Sequence, residues 1–392
     1  MHDGSDVRVD RSAFRKTGNY ALARGSEAAR PALRAIARRM SRGAPTNPAT
    51  WRRGLIIGSN HVGDILHRTC SLSQLRSALP DCVWDYLTSR SSAEVLEGNA
   101  TISSVFPFAS DSHSWPLTRT AISTLRSANY DVVLCTSTTR HAFDLALAIT
   151  LGAPNRVAFG DKGYSGLATT TVPLKYPRPA AEYFRAMVGH VTGAAPVWRL
   201  QPQVFPGALN QKAASEYWAA LNLPQVRPVI ACTVTTRQAL GAWPLDFFIR
   251  TLRAAVASRP VSILLFGGGG DAPSLRHVAE SLPSVVDVSA GKLGWLDFAC
   301  VLRRCDALLA MDSGPRHMAN AVGTPVAFVR NLATSRIEAG AYCENEVDLA
   351  PLASEYLAPR QAADVASRMS AESCAARLLA LADRRDRSPQ TA

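Results

Sequence analysis

Four clusters along the chain hold residue types that can move a proton or grip an anion. The first is Gly58-Ser59-Asn60-His61-Val62-Gly63-Asp64, directly after the apolar run GLII. Gly63 lets the backbone turn tightly into a helix, Asp64 sits in that helix's first turn, and the loop points into a cleft. Taken alone, this aspartate fits best as a plain carboxylate favoured by the helix dipole. The second is Asp312-Ser313-Gly314-Pro315-Arg316-His317-Met318-Ala319, after the run ALLAM. Pro315 suits a first helical turn. Backbone N–H groups there, with the Ser313 hydroxyl and close access at Gly314, form a phosphate site or an ordinary cap, and His317 faces the same mouth. The third is Thr235-Thr236-Arg237, where two hydroxyls and a guanidinium suit a diphosphate, with plain loop polarity as the alternative. The fourth, Gly267 to Gly270 followed by Asp271, permits close ligand approach but also fits a flexible turn. No G-x-G-x-x-G dinucleotide fingerprint follows the first strand.

Strands must aim these clusters, and the hydrophobic pattern supplies them. Short apolar strands are predicted at 54–58, 82–87, 103–106 and 131–135, alternating with helices at 64–78, 91–97, 117–127 and 141–150. The same grammar restarts with strands at 227–234, 262–268, 285–290, 307–311 and 324–329. Helices fill its intervals at 244–257, 272–282, 295–304 and 315–322. Such alternation predicts parallel sheets covered on both faces. The two runs, joined through a Pro-rich stretch at 196–206, read as two facing Rossmann-like domains. In such sheets ligands bind beyond the carboxyl ends of the strands, where all four clusters fall. A last helix, 361–384, is apolar at Val365, Met369, Ala376, Leu379 and Leu381 and must pack on something.

Composition removes other classes. The chain has 392 residues, 47% apolar and 19% charged, with 25 Gly and 24 Pro showing no period, which excludes disordered and collagen-like readings. No apolar run is long enough to span a bilayer, and the N-terminus lacks the apolar core of a secretory signal. The eight cysteines show no C-x2-C spacing and several sit in apolar runs, so buried reduced thiols and a cytoplasmic location are expected. Residues 1–53 hold eleven arginines and one lysine against Asp3, Asp6, Asp10 and Glu27, so this segment carries +8 of the net +12. Basic residues interleaved with aromatics on a folded module are absent, which argues against nucleic acid. A solvated tail or contact with an anionic membrane surface, at the inner face of the plasma membrane, remains.

The order of these segments resembles glycosyltransferase family nine, which contains the ADP-heptose:lipopolysaccharide heptosyltransferases. The resemblance rests on V-G-D with L-R-S-A-L-P-D, then W-P-L-D-F-F, LLFGGGGD and D-S-G-P-R-H-M-A-N-A-V-G-T-P-V-A, over residues 54–385. It implies an α/β fold of GT-B type with the C-terminal helix crossing back to the N-terminal domain. The expected organisation is a basic extension at 1–50, an acceptor domain at 51–205, a nucleotide-sugar domain at 206–360 and the crossing helix with tail at 361–392. The implied activity is an inverting, metal-independent transfer of a sugar such as heptose from a nucleoside-diphosphate sugar to a lipopolysaccharide core or other glycan or glycolipid. No cofactor is implied beyond that donor substrate. Asp64 matches the family's base, and Asp312 the acid that contacts the donor sugar. Ser313, Gly314 and His317 match the diphosphate-binding helix start, and Thr235 and Thr236 the nearby hydroxyl pair. Two departures stand out. The family's lysine two residues before Trp-Pro is Gly241 here, and the usual Gly-Pro turn reads Phe328-Val329-Arg330-Asn331, so Arg237 or Arg330 becomes the substitute cation. The alternatives are a catalytically impaired nucleotide-sugar-binding module and a nucleotide-sugar epimerase or hydrolase of the same fold.

Overall fold

The computed structural model describes residues 35, 37–58, 61–108, 118–137, 141–160, 167–173, 178–195, 199–221, 223, 228–236, 242–282 and 285–386. Ser59, Asn60, Arg237, Gly241 and most of the basic N-terminal segment lie outside these residues. The end of that segment is docked rather than trailing. Ala37 is buried, the Arg42 guanidinium donates to the carbonyls of Arg126 and Tyr130, and Thr46 N–H donates to Asn155. These contacts lie at the amino ends of the first domain's strands.

Two parallel six-stranded sheets form the frame. The first contains β1 (Arg53–Ile57), β2 (Val83–Ser89), β3 (Ile102–Phe108), β4 (Val132–Cys135), β5 (Asn155–Phe159) and β6 (Thr170–Val172), in the order β3-β2-β1-β4-β5-β6. The second contains β7 (Val229–Cys232), β8 (Ser262–Gly267), β9 (Val285–Ala290), β10 (Ala307–Met311), β11 (Val326–Val329) and β12 (Glu346–Asp348), in the order β12-β11-β10-β7-β8-β9. Counted from its own first strand, the second order repeats the first, which is the doubly wound dinucleotide-fold order. Strands covered on both faces must be apolar throughout, as β4, β7, β10 and β11 are. Alternation then deals their side chains to two layers. Leu55 and Ile57 pack with Leu145 and Ala148, whereas Ile56 joins a cluster that continues through Ile65 and Leu66 to Val229, Phe298 and Met318 of the second domain. One buried cluster therefore spans both domains.

The expected helix at 64–78 is two, α1 (Val62–Thr69) and α2 (Leu72–Ala78). β5, β6, β12 and the helices Glu182–Thr192 and Ala208–Ala220 were not expected. In the second domain α3 (Leu245–Ser258), α4 (Trp295–Leu302) and α5 (Gly314–Ala321) agree with the pattern to within two residues. The C-terminal expectation needs correction. The single crossing helix is two, α6 (Pro359–Arg368) and α7 (Ala371–Asp386), divided where the Ser370 hydroxyl accepts from Ser373 N–H. Among the described residues, neither packs its apolar face on the first domain. Cys374, Ala375, Leu378, Leu379, Leu381 and Ala382 pack with Ile249 and Leu252 of α3 and with Leu309 of β10. The Arg250 guanidinium takes the Ala366 and Met369 carbonyls, and Arg259 pairs with Asp383 at 2.7 Å. The apolar face needed a partner, and the second sheet's outer layer supplies it.

Candidate active site

Each sheet reverses its winding once, between β1 and β4 and between β7 and β10, and the chemistry-bearing clusters leave the strands at those two points. In the first domain, Thr136 at the end of β4 donates its hydroxyl to the Ile57 carbonyl at 2.7 Å and accepts from Arg68 Nε at 2.6 Å. That clamp holds α1 against the strand ends and puts Asp64, the third residue of the helix, at its exposed start. In the second domain, Thr235 and Thr236 follow β7 and Asp312-Ser313-Gly314 follow β10. The two switch points open onto one cavity of about 630 Å³, lined by Asp64, His67, Thr235, Thr236, Asp312, Ser313, Gly314 and His317 among others. Its size falls within the range of about 300–1,000 Å³ usual for small-molecule sites.

The starts of α1 and α5 meet at its floor. A Cβ on Gly63 would stand 2.8 Å from His317 Cδ2, and one on Gly314 would stand 3.1 Å from Trp295 and 3.5 Å from Val62. These glycines are required for close approach. His67, one turn beyond Asp64, lies edge-on to His317 with ring centroids 4.1 Å apart. His317 Nδ1 and the Tyr342 hydroxyl share a hydrogen bond of 2.8 Å. Glu94 of the first domain caps α4 of the second: its two oxygens accept from the N–H groups of Trp295 and Leu296, each at 2.9 Å. By contrast, no side chain caps α5, because the Ser313 hydroxyl turns back to the Met311 carbonyl at 3.2 Å. The start of α5 thus offers backbone donors to an anion in the cavity.

Beneath that start lies a buried charge cluster. Arg316 Nη1 donates to Asp312 at 2.7 Å and Nη2 to Glu346 at 2.6 Å. The guanidinium also takes the carbonyls of Ala339 and Gly340 and lies over the Phe328 ring, 3.5 Å from its centre. Burial pushes the Asp312 carboxyl up, against the opposing pull of Arg316.

Comparison with known proteins places this fold. The model of glycosyltransferase family 9 (heptosyltransferase) matches residues 118–337, more than half of the chain. The chain belongs to glycosyltransferase family 9. Among solved structures it resembles the family 9 glycosyl transferase of Veillonella parvula, at 18% identity and TM-score 0.66, over 85% of this chain and 100% of that one. It also resembles ADP-heptose LPS heptosyltransferase II of E. coli, at 16% identity and TM-score 0.67, over 85% and 99%. E. coli heptosyltransferase WaaC with ADP matches at 21% identity and TM-score 0.59, over 79% and 97%. These likenesses are of fold, the two-domain architecture of GT-B glycosyltransferases. No curated protein matches the chain.

In this glycosyltransferase the structure brings Asp64, Thr235, Thr236, Asp312, Ser313, Gly314 and His317 to one cavity. Arg330 is a correction. It is fully buried, pairs with Asp348 and donates to the carbonyls of Ala350 and Ser354, so it braces the end of β11 and is not among the described residues lining the cavity. The sequence reading missed His67, Glu94, Trp295, Arg316 and Tyr342. His67 had a signal, its i+3 spacing from Asp64 on a helix. Arg316 had one as well, four residues after Asp312, although its second partner Glu346 lies on β12. Glu94 and Trp295 meet across the two domains, and Tyr342 reaches His317 from 25 positions away.

The family 9 enzyme should also show a histidine-dependent acid sensitivity. Burial, the neighbouring His67 and Arg316 hold His317 well below the usual imidazole value, so it stays neutral when folded. In the unfolded chain it takes a proton near pH 6.5. The unfolded state therefore binds more protons below that pH, and stability falls as pH drops from 6.5 toward 5, by about 1.4 kcal/mol per pH unit for one histidine. Asp312 and Glu346, raised by burial, act with the opposite sign as pH falls through their raised folded values. Urea unfolding from pH 7.5 to 5 should give a shallower slope for His317→Gln than for the wild type; equal slopes would refute the assignment.

Proposed function

We propose that this chain is an inverting glycosyltransferase that moves a sugar, heptose first among candidates, from a nucleoside-diphosphate donor to a hydroxyl of a glycan or glycolipid such as a lipopolysaccharide core. The observation that carries this reading is the shared cavity: the Asp64 carboxylate enters from the first domain and the uncapped start of α5 from the second. Asp64 takes the proton of the acceptor hydroxyl as that oxygen bonds to the anomeric carbon. The bond from that carbon to the diphosphate breaks on the opposite face, and its electron pair leaves with the diphosphate. The developing charge meets the N–H groups at the start of α5 and the hydroxyls of Thr235 and Thr236, donors already in place before reaction. Asp312, only partly covered, accepts hydrogen bonds from the hydroxyls of the donor sugar. No step in this scheme calls on a metal ion. The names of the E. coli neighbours, an ADP-heptose transferase and a heptosyltransferase with ADP, make ADP-heptose the first donor to test.

The experiment is a thermal-unfolding screen with ADP-, UDP-, GDP- and dTDP-sugars, followed by diphosphate release with acceptor in EDTA. A ligand present at 100 times its Kd adds about 2.7 kcal/mol to native stability. One nucleotide class should raise Tm clearly above the rest. If none shifts Tm and none supports release, the reading is wrong.

A further inference from the structure

Among the described residues lining the cavity, Arg316 is the one arginine or lysine, and its geometry is unlike that of a phosphate ligand. Its side chain is 1% exposed, whereas that of its partner Asp312 is 19% exposed. Nη1 serves Asp312 and the Ala339 carbonyl, and Nη2 serves Glu346 and the Gly340 carbonyl. Glu346 is anchored in turn: it accepts from Asn320 Nδ2 and from Tyr342 N–H, and its own side chain is fully buried. One guanidinium thus stands between two carboxylates, and the cluster shows the ligand a carboxylate oxygen rather than a cation. A fixed anionic acceptor suits sugar hydroxyls and repels a diphosphate, which the start of α5 receives instead.

We propose that Arg316 is a positioning residue for donor recognition: held from behind by Glu346 and two backbone carbonyls, it fixes the Asp312 carboxylate as an ionised acceptor for the hydroxyls of the donor sugar. The inference rests on the reading above that Asp312 contacts that sugar. A lysine in its place keeps the charge but loses the planar fork that joins two carboxylates at once. The charged and titratable groups around Asp312 are few. Arg316 pairs with it, His317 Nε2 lies 3.8 Å away, Asp348 acts from the end of β12, and Asp64 and His67 line the same cavity. Asp348 is paired with Arg330, and His317 is neutral, so Arg316 is the charged group that opposes burial of the Asp312 charge, with the Asn331 N–H beside it.

The test is the pH profile of donor affinity, measured by calorimetry without acceptor so that proton transfer to Asp64 does not enter, together with donor KM, on full-length wild type, Arg316→Met, Arg316→Lys and Glu346→Gln, each checked for cooperative unfolding. Arg316→Met should move the acid limb up by about one pH unit or more and raise donor KM about tenfold at neutral pH, a tenfold change corresponding to one pH unit. Arg316→Lys should recover part of both. Glu346→Gln removes the competing carboxylate and leaves Arg316 to Asp312, so its acid limb should move down although the protein is less stable. A purely structural role for the cluster would leave the limb in place in every folded variant. An unmoved limb in folded Arg316→Met, or an unmoved or raised limb in Glu346→Gln, overturns the proposal. If Arg316→Met does not fold, the Glu346→Gln limb decides alone. Asp312→Asn separates the two claims. Wild-type donor KM in that variant defeats the contact of Asp312 with the sugar, whereas a raised KM there with an unmoved Arg316→Met limb defeats only the role of Arg316.

Discussion

Asp64→Asn should lower sugar transfer by about 10²–10⁴-fold, the usual contribution of a positioned general base, while the protein still folds and still binds its nucleotide. The side chain is exposed at the start of α1 and lines the cavity, so its loss removes little packing. What it costs the fold is a favourable place for negative charge near a helix N-terminus, about 0.3–1 kcal/mol. The helix itself is held elsewhere, by the Arg68–Thr136 clamp and by Ile65 and Leu66 in the core. Donor affinity should be almost unchanged, because the groups proposed for the donor all come from the second domain. The readouts are product formation under saturating donor and acceptor, and nucleotide affinity by calorimetry. Wild-type turnover in the variant would remove Asp64 from the mechanism. Loss of nucleotide affinity together with turnover would instead place the residue in donor binding.

Gly63→Ala should be nearly as damaging, for a steric reason. The added methyl would sit 2.8 Å from His317 Cδ2, and the ring cannot swing aside because Tyr342 holds its nitrogen and His67 packs against it. Something must move, and the yielding element is the seam between α1 and α5. Overpacking of this kind costs about 1–3 kcal/mol. The larger effect is on rate, since Asp64 is the next residue and a misplacement of about 1 Å can cost on the order of 10²-fold. Gly43→Ala is the control, because nothing lies within 4 Å of a Cβ there. Melting temperature and kcat/KM should both fall for Gly63→Ala and stay level for Gly43→Ala. A fully active, equally stable Gly63→Ala enzyme would show that the two domains do not meet through this contact during turnover.

Much of the architecture was legible in the chain because its signals are local. Runs such as ALLAM and VVDVSA have a strand's length and β-branched or fully apolar content, and both appear at their expected positions. Pro315 stands in the first turn of α5 and Asp64 in the first turn of α1, as the turn chemistry required. β6 and β12 escaped because three-residue edge strands carry too few residues for a periodicity to register. The helix Ala208–Ala220 escaped for a different reason: it buries only Ala214 fully, so its apolar stripe is faint. The break at Ser370 was readable in principle as a cap and was passed over.

The residue order by itself determined the alternation of strands and helices, the placing of the reactive clusters at strand ends, and a basic first segment. These follow from backbone propensity, side-chain periodicity and turn chemistry, which act over a few neighbours. Tertiary structure alone decided which cation serves which anion. Arg330, an apparent substitute for a missing lysine, is spent on Asp348, while Arg316, four residues after Asp312, is shared with the distant Glu346. It also chose α3 as the partner of the last helix and joined Glu94 to the start of α4, 201 positions away. A buried charge or an apolar face needs some partner, and its local sequence states that need. Which distant group meets it depends on how two separately wound sheets come to rest against each other.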